Sequence, residues 1–340
     1  VQGLVIVDVR IGEDGRVKIT LEMFTPPGEG PFPVFMTQWN HRGWAQIAVR
    51  RGYIGLIYAG ADAKDDTREY LELYPDHDWS TLMTRAWGAH RVVDFLYTRE
   101  SVDREGIAIT GHSRNGKQSL FAAAFDDRIK AVITSSGGTG GEFPYRYTDD
   151  RHSNESIEYL VSRRTHWLHP RLRFYAGGEH KLPIDQNSLM ALIAPNSLLL
   201  SSSIREGGGG DAWAVEHMYK SLTGVYSFLN APDKLGIRLR DGEHAVEARD
   251  IEGYLDWLDI QFGRSSGTWD NTLVYDYSFR EWVESSGERV NPEAWPVVED
   301  RPLLTDNSGA AIRTTEEWRA RRAEIHEQIN WVLGDVPPGI

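Results

Sequence analysis

The stretch Gly111-His112-Ser113-Arg114-Asn115-Gly116-Lys117 contains the residue types needed for nucleophilic chemistry. It follows an apolar run at 107–110 and precedes a helical pattern at 118–125. A Gly-x-Ser-x-Gly sequence between a strand and a helix is typical of the nucleophile elbow, a sharp turn that exposes the serine hydroxyl above a sheet. Glycines are required there because the strand and helix backbones approach too closely for side chains. The pattern predicts that Ser113 is the nucleophile of a hydrolase.

A serine hydroxyl becomes a good nucleophile when a histidine takes its proton and a carboxylate orients that histidine. In the α/β-hydrolase order the serine comes first, then the acid, then the histidine. His244 fits the base because it follows a predicted strand at 236–240 and precedes the last helix of the pattern. The rival histidines lie in a long insertion or in a helix: His152, His166, His169, His180 and His217.

The acid is expected after the predicted strand 197–202, where Glu206 and Asp211 are separated by four glycines. Position alone does not choose between these two carboxylates. The reaction also needs N–H donors for the developing oxyanion, each worth about 10²–10³ in rate. The backbone N–H of Arg114 is the expected donor, and the guanidinium of the same residue is a candidate for a second.

The elements that must position these residues alternate along the chain. Two alternating stretches at 1–9 and 17–24, joined by Gly12-Glu13-Asp14-Gly15, predict a hairpin. Further strands are expected at 33–36, 53–58, 107–110, 131–134, 197–202 and 236–240, and helices at 45–51, 78–98, 118–125 and 250–262. This order predicts an α/β-hydrolase fold, a three-layer sandwich in which a mostly parallel twisted sheet carries helices on both faces.

We expect residues 1–264 to form the catalytic domain. A polar insertion at about 136–183 interrupts the alternation, and an insertion of this size usually shapes a substrate site. Beyond residue 264 the pattern changes, and Thr314-Thr315-Glu316-Glu317 is a capping-box signal for a helix that runs to about residue 333. Residues 265–340 are expected to be an extension that packs on the same domain.

Composition excludes several classes of function. The net charge of −13 over 340 residues argues against nucleic acid as a partner, because little of this chain would neutralise phosphates. The absence of cysteine excludes disulfides, a cysteine nucleophile and thiolate metal sites. No apolar run approaches the ~20 residues that span a bilayer, and residues 1–9 lack the pattern of a signal peptide. We expect a monomer that requires no metal or cofactor, and the localisation stays open.

The elbow resembles the Gly-x-Ser-Arg-x-Gly-Lys elbow of glucuronoyl esterases, carbohydrate esterase family 15. The resemblance extends over about residues 33–262, and its motifs are specific in combination. They are Arg85-Ala86-Trp87-Gly88-Ala89-His90-Arg91-Val92-Val93-Asp94-Phe95-Leu96 before the elbow, His166-Trp167, Leu182-Pro183-Ile184-Asp185-Gln186, Ala191-Leu192-Ile193-Ala194-Pro195 and Asp211-Ala212-Trp213-Ala214.

The resemblance implies roles for individual residues. Arg114 would assist the oxyanion, and Lys117 would contact sugar hydroxyls. Trp213 would line the sugar pocket, and Glu155 in the insertion would bind the sugar. Gln186 and Trp167 are further candidates for substrate contact.

Two departures from the family pattern stand out. Many members hold a catalytic Glu just before a Ser-Gly-x-Gly-Gly run, where this chain has Ser135 and Ser136. The resemblance therefore favours Asp211 over Glu206 as the acid, with Glu142 as a remote third choice. In addition, residues 295–338 resemble the family's N-terminal lead-in but stand at the C-terminus, which indicates a circular permutation or a chain excised from a longer tandem protein.

We predict a serine esterase that cleaves esters of glucuronic acid, of the lignin–carbohydrate type or methyl glucuronate esters, through an acyl-enzyme. This substrate class suggests a secreted or periplasmic protein. One alternative is an acetylxylan esterase or another carbohydrate esterase. An alternative of a different class is a non-catalytic carbohydrate-binding protein on a hydrolase scaffold.

Overall fold

A computed structural model of the chain describes most of its residues. The described residues are 3–11, 15, 17–146, 155–205, 211–271, 273–274, 283–284, 286–287, 291, 294 and 302–333, and the side chains of 3–5, 7, 9, 211 and 331–333 are outside the description. The chain divides into two compact units, residues 1–276 and residues 277–340. Every residue of the candidate site belongs to the first unit.

The first unit is built on a twisted eight-stranded sheet. The strands of this unit are β1 (Gly3–Ile11), β2 (Val17–Thr25), β3 (Phe32–Gln38), β4 (Ile54–Tyr58), β5 (Gly60–Ala61), β6 (Lys64–Asp65), β7 (Val102–His112), β8 (Ala131–Ser135), β9 (Ser197–Ser203) and β10 (Leu235–Arg240). Of these, β5 and β6 form a separate two-stranded hairpin. The order in the large sheet is β1-β2-β4-β3-β7-β8-β9-β10. The pairs from β4 to β10 are parallel, and β1 and β2 join by antiparallel pairing.

Helices cover both faces of this sheet. They are α1 (Arg42–Arg50), α2 (Tyr70–Leu73), α3 (Thr81–Tyr97), α4 (Arg114–Ala124), α5 (Ile157–Arg163), α6 (Gln186–Ala191), α7 (Asp211–Phe228) and α8 (Ala248–Gln261). Successive strand residues point to opposite faces: Ile133 joins a core with α1 and α8, whereas Val132 joins the larger core with α3, α4 and α7. The predicted α/β-hydrolase fold with helices on both faces is therefore confirmed.

The parallel pairing decides where the functional residues meet. His112 at the end of β7 pairs with Ser135 at the end of β8, and Ser135 pairs with Ser201 near the end of β9. The carboxyl ends of parallel strands share one edge of a sheet, and ligands of open α/β sheets bind outside that edge. The loops after β3, β7, β8, β9 and β10 thus converge there.

The elements extend a few residues beyond their predicted bounds or start slightly later. The strand before the elbow is the largest difference, since β7 begins at Val102 rather than at residue 107. Its first part contains charged residues at 103–105 that hide the strand pattern, and Phe32 of β3 pairs with Val102 before a register shift. The insertion at 136–183 contains α5 and two short 3₁₀ helices, Pro170–Tyr175 and Glu179–Lys181.

The second unit contains α9 (Thr315–Leu333). The predicted capping box is formed: Glu317 N donates to Thr314 Oγ1 at 3.2 Å, and Thr314 N donates to the Glu317 carboxylate at 2.9 Å. The backbone N–H of Arg313, which donates to the same carboxylate at 2.6 Å, and that of Thr314 lower the pKa of Glu317. The packing of residues 265–340 on the catalytic domain and the circular permutation stay predictions. Among the described residues, no helix combines the length and the apolar character that crossing a membrane requires.

Candidate active site

Ser113 occupies a strained turn between β7 and α4. Its backbone has φ 58° and ψ −131°, a left-handed conformation that non-glycine residues seldom adopt. Ser113 N donates to Ser135 O at 2.8 Å, and Ser113 O accepts from Gly116 N at 2.8 Å. The backbone is therefore held on both sides of the serine, as in a nucleophile elbow.

The glycines of the motif explain why the sequence folds this way locally. A Cβ at Gly111 would collide with the backbone carbonyl of Asn115 and lie 2.6 Å from Gln38 Oε1. A Cβ at Gly116 would lie 3.1 Å from both Gly111 O and Thr134 Oγ1. The strand and the helix can thus approach this closely only because position 111 has no side chain.

Arg114, the first residue of α4, lies at the helix N-terminus, where the backbone N–H groups and the helix dipole favour negative charge. Its guanidinium Nη2 pairs with Asp62 Oδ2 at 2.6 Å, and its carbon Cζ lies 5.7 Å from the Trp167 ring centre. Its Nε is buried without a hydrogen-bond partner among the described residues. One donor of this guanidinium is therefore available at the elbow.

His244 lies in the loop between β10 and α8, as predicted. Its ring centre is 4.4 Å from that of His112, the residue directly before Ser113. His112 Nδ1 in turn lies 3.1 Å from Ser135 O. The fold therefore brings the loop of the predicted base to the residue that adjoins the predicted nucleophile.

One buried arginine organises this loop. Arg240, the last residue of β10, is 6% exposed. Its Nη1 donates to Glu243 O at 2.9 Å and to Ala245 O at 2.7 Å, and its Nη2 donates to His244 O at 3.0 Å. The same Nη2 donates to Ser136 Oγ at 3.0 Å. Arg240 therefore ties the histidine loop to the end of β8.

The serines that replace the usual glutamate are both engaged. Ser136 has φ 47° and accepts from Arg240, and Ser135 Oγ accepts from Tyr254 Oη at 2.8 Å. Glu142, the remote third candidate for the acid, is fully buried, and its carboxylate accepts from Thr134 Oγ1 at 2.5 Å and from Gly137 N at 2.6 Å. These bonds give Glu142 a role in shaping the loop after β8.

The two main candidates for the acid fall at the edge of what the structure describes. Glu206 lies outside the described residues, as does the side chain of Asp211, although Asp211 is the first residue of α7. The choice between them stays a prediction in favour of Asp211.

Three predicted substrate-binding residues form one cluster. Lys117 on α4 is 1% exposed, and its Nζ donates to Glu155 Oε2 at 2.6 Å and to Gly137 O at 2.5 Å. The same Nζ lies 5.5 Å from the centre of the Trp167 ring. The insertion therefore places Glu155 and Trp167 against the elbow helix.

The other two predicted contacts lie on neighbouring helices. Trp213 on α7 is 42% exposed and stacks on His217, with ring centres 5.3 Å apart. Gln186 is the first residue of α6, and its buried Nε2 has no hydrogen-bond partner among the described residues. The indole of Trp213 is thus partly exposed, whereas the amide of Gln186 is buried.

A histidine that the sequence did not single out also lies at the elbow. His41 follows β3, and its Nε2 lies 3.1 Å from Asn115 Nδ2 while its ring stacks on Trp44. Burial, together with the charge of Arg114, lowers the pKa of His41 to about 4. His41 is therefore uncharged at neutral pH. Within the described ranges, no group of three His, Cys, Asp or Glu side chains is arranged to hold a metal ion.

Three residues of the site have weak or no sequence signals: Arg240, Asp62 and His41. Arg240 lies four residues before His244, which is a usable signal once the histidine is chosen. Asp62 and His41 reach the elbow only through the sheet order, so no local pattern connects them with Ser113.

Several known proteins are similar to this chain. A family model described as glucuronyl esterase, fungi, matches residues 9–227. A carbohydrate esterase from an unknown prokaryotic organism is 33% identical over 200 residues, covering 53% of this chain and 44% of that protein. The 4-O-methyl-glucuronoyl methylesterase 1 of Phanerochaete chrysosporium is 29% identical over 195 residues, covering 53% of this chain and 40% of that protein.

A solved structure, the carbohydrate esterase family 15 glucuronoyl esterase from Caldicellulosiruptor kristjansonii, has the same fold. It superposes with a TM-score of 0.69 at 24% identity, covering 82% of this chain and 84% of that one. The chain spans less than half the length of the two relatives above. The family model nevertheless matches more than half of the chain, and we conclude that the chain belongs to the family described as glucuronyl esterase, fungi.

Proposed function

We propose that the chain is a serine esterase that hydrolyses esters of glucuronic acid through an acyl-enzyme. The observation that carries this proposal is the left-handed Ser113 at the N-terminus of α4, one helical turn before the buried Lys117 that pairs with Glu155. A serine held in this turn, close in sequence to a polar cluster, supports a nucleophile that acts on a sugar ester. The names of the relatives, glucuronyl esterase and 4-O-methyl-glucuronoyl methylesterase, support a glucuronate ester as the substrate.

In the first step, Ser113 Oγ attacks the ester carbonyl, and His244 takes the hydroxyl proton. The carbonyl oxygen becomes an oxyanion that accepts from the backbone N–H of Arg114 and from the guanidinium Nε of the same residue. Such stabilisation is effective when the donors are held in position before substrate binds. The tetrahedral intermediate then collapses, and His244 gives its proton to the leaving alcohol.

In the second step, water attacks the acyl-enzyme, and His244 acts as base again. The C–O bond to Ser113 breaks, the serine regains its proton, and the uronic acid leaves. Asp211 orients His244, with Glu206 as the alternative. Arg240 positions the His244 loop through three backbone carbonyls and does not touch substrate. The chemistry needs no metal or nucleotide, and we propose that the protein works as a monomer.

The sugar ring is proposed to lie over the cluster of Lys117, Glu155 and Trp167. The Lys117 ammonium donates to sugar hydroxyls, and the Glu155 carboxylate accepts from them. Trp213 is 42% exposed and offers a stacking face, and the unpaired Nε2 of Gln186 offers a further donor. These contacts would favour a uronate over an acetyl group, which has no hydroxyls.

The experiment that tests this proposal compares substrates and one inactive variant. Wild type should hydrolyse methyl glucuronate far faster than acetylated xylan or p-nitrophenyl acetate. Ser113→Ala should lower the rate by about 10⁴-fold or more, because it removes the nucleophile. Ser162→Ala, an exposed serine of α5, is the matched control and should match wild type.

Each alternative has its own outcome in this experiment. A preference for acetylated xylan would indicate an acetylxylan esterase. Lack of turnover together with lack of fluorophosphonate labelling at Ser113 would indicate a non-catalytic carbohydrate-binding protein. Near-wild-type turnover by Ser113→Ala would overturn the assignment of the nucleophile.

A further inference from the structure

Asp62 is an acidic residue beside the elbow that neither step of the proposed reaction uses. It lies in the turn between β5 and β6, and its side chain is 42% exposed. Asp62 Oδ2 pairs with Arg114 Nη2 at 2.6 Å, and Asp62 Oδ1 pairs with Arg85 Nη2 at 2.8 Å. An ion pair on the oxyanion-binding arginine reduces the positive charge that this arginine offers to a substrate.

The same pairing recurs for the other cations near the elbow. Arg85, which is 1% exposed, also pairs with Asp65 at 2.8 Å. Lys117, also 1% exposed, pairs with Glu155 at 2.6 Å. Arg85, Arg114 and Lys117 are therefore each paired with a carboxylate.

The ionisation states support this pairing. Burial on its own raises the pKa of Asp62, but the hydrogen bonds and charges of Arg85 and Arg114 outweigh it, and the pKa lies below its ordinary value. Asp62 is thus ionised at neutral pH. His41 adds no charge there, since its pKa is lowered to about 4. Arg164 also lies over Trp167, at 5.1 Å, but it is exposed, where water and salt screen its charge.

Charge matters because substrate and product differ in it. The ester is neutral at the reacting carbon, whereas hydrolysis gives a carboxylic acid that ionises well below pH 7. The new carboxylate forms at the elbow, next to the Arg114 guanidinium. An arginine without a carboxylate partner would bind that anion more tightly and slow the release of product.

We propose that Asp62, by pairing with Arg114, makes the site discriminate against the anionic product, so that the neutral ester binds and the uronate leaves. This inference rests on the proposed function. Asp62 is a specificity-determining residue, because it acts through Arg114 rather than on the reacting atoms. Glu155 has the equivalent effect on Lys117.

The test compares two inhibitors of methyl glucuronate hydrolysis that have nearly the same shape but differ in charge, glucuronate and glucuronamide. In wild type, their inhibition constants should lie within about threefold of each other, because Asp62 offsets the charge of the Arg114 guanidinium. In Asp62→Asn, glucuronate should inhibit about tenfold more tightly than in wild type, while inhibition by glucuronamide is unchanged. Added NaCl should reduce this increase in glucuronate affinity. Arg85 keeps its ion pair with Asp65 in this variant, so the variant protein should still fold.

Asp256→Asn is the matched control. Asp256 on α8 pairs with Arg51 at 2.8 Å, so this substitution also removes one negative charge from an arginine pair, and it should leave the ratio of inhibition constants unchanged. An unchanged ratio in Asp62→Asn would overturn the inference, and so would a wild type that already prefers glucuronate tenfold. The wild-type ratio of the two inhibition constants tests the inference even if Asp62→Asn does not fold. Failure of the proposed function has a separate signature, because wild type would then hydrolyse no glucuronate ester.

Discussion

The elbow and the histidine loop lie at the same edge of the sheet but are held in place by different forces. Ser113 is positioned by backbone contact, because Gly111 and Gly116 let β7 and α4 approach closely and leave the serine at φ 58°. His244 is positioned by one side chain, since the Arg240 guanidinium donates to the carbonyls of 243, 244 and 245. Close backbone packing and backbone hydrogen bonds therefore hold the proposed nucleophile, whereas side-chain hydrogen bonds hold the loop of the proposed base.

This difference predicts different responses to mutation. A steric constraint fails when an atom is added, whereas a hydrogen-bonded loop fails when a donor is removed. Backbone packing tolerates almost no change, because a collision with a carbonyl cannot be relieved by a rotamer change. A loop that has lost its donors can still sample the productive position for part of the time.

The largest effect is expected for Gly111→Ala. Its Cβ would collide with the Asn115 carbonyl, so we expect a loss of about 3 kcal/mol or more in the free energy of unfolding and loss of esterase activity. Chemical denaturation and the rate of fluorophosphonate labelling measure the two losses. Gly43→Ala on α1 is the control, since nothing lies within 4 Å of the Cβ it adds. Labelling of Gly111→Ala at the wild-type rate would refute the steric account of the elbow.

A smaller effect is expected for the acid. Asp211→Ala should lower kcat/KM by about 10³–10⁴-fold, because His244 would lose the partner that fixes its tautomer. Glu206→Ala, five residues earlier on the other side of the glycines, should lower it by less than about tenfold. The ratio of the two rate losses on methyl glucuronate is the measurement. A larger rate loss in Glu206→Ala than in Asp211→Ala would show that Glu206 is the acid that orients His244.

The smallest of the three effects is expected for Arg240→Met, at about 10²-fold in kcat. The variant keeps much of the buried volume but removes the Arg240 donors to the carbonyls of residues 243–245. Inhibition by glucuronamide should stay at the wild-type value, because Arg240 does not touch the sugar cluster. A loss of glucuronamide binding equal to the loss of kcat would show general collapse of the site instead. Arg249→Met, an exposed arginine at the start of α8, is the control and should retain wild-type kcat.

The sequence by itself determined the features that depend on neighbouring residues. Ser113 could be placed because the glycines, the preceding strand and the following helix are contiguous, and local sterics decide such a turn. The alternation of strands and helices predicted the layered fold, since each element must bury one face. His244 could be placed because chain order limits which loop follows the last strand.

The tertiary structure alone decided which distant residues meet. Asp62 lies 52 positions before Arg114, and Glu155 lies 38 positions after Lys117, yet each pair is 2.6 Å apart. Such pairs depend on the order β4-β3-β7-β8, which brings loops from remote parts of the chain to one edge of the sheet. The pairing of cations with carboxylates at the elbow is therefore a property of strand order, because no local pattern in the sequence links an arginine with a carboxylate so far away.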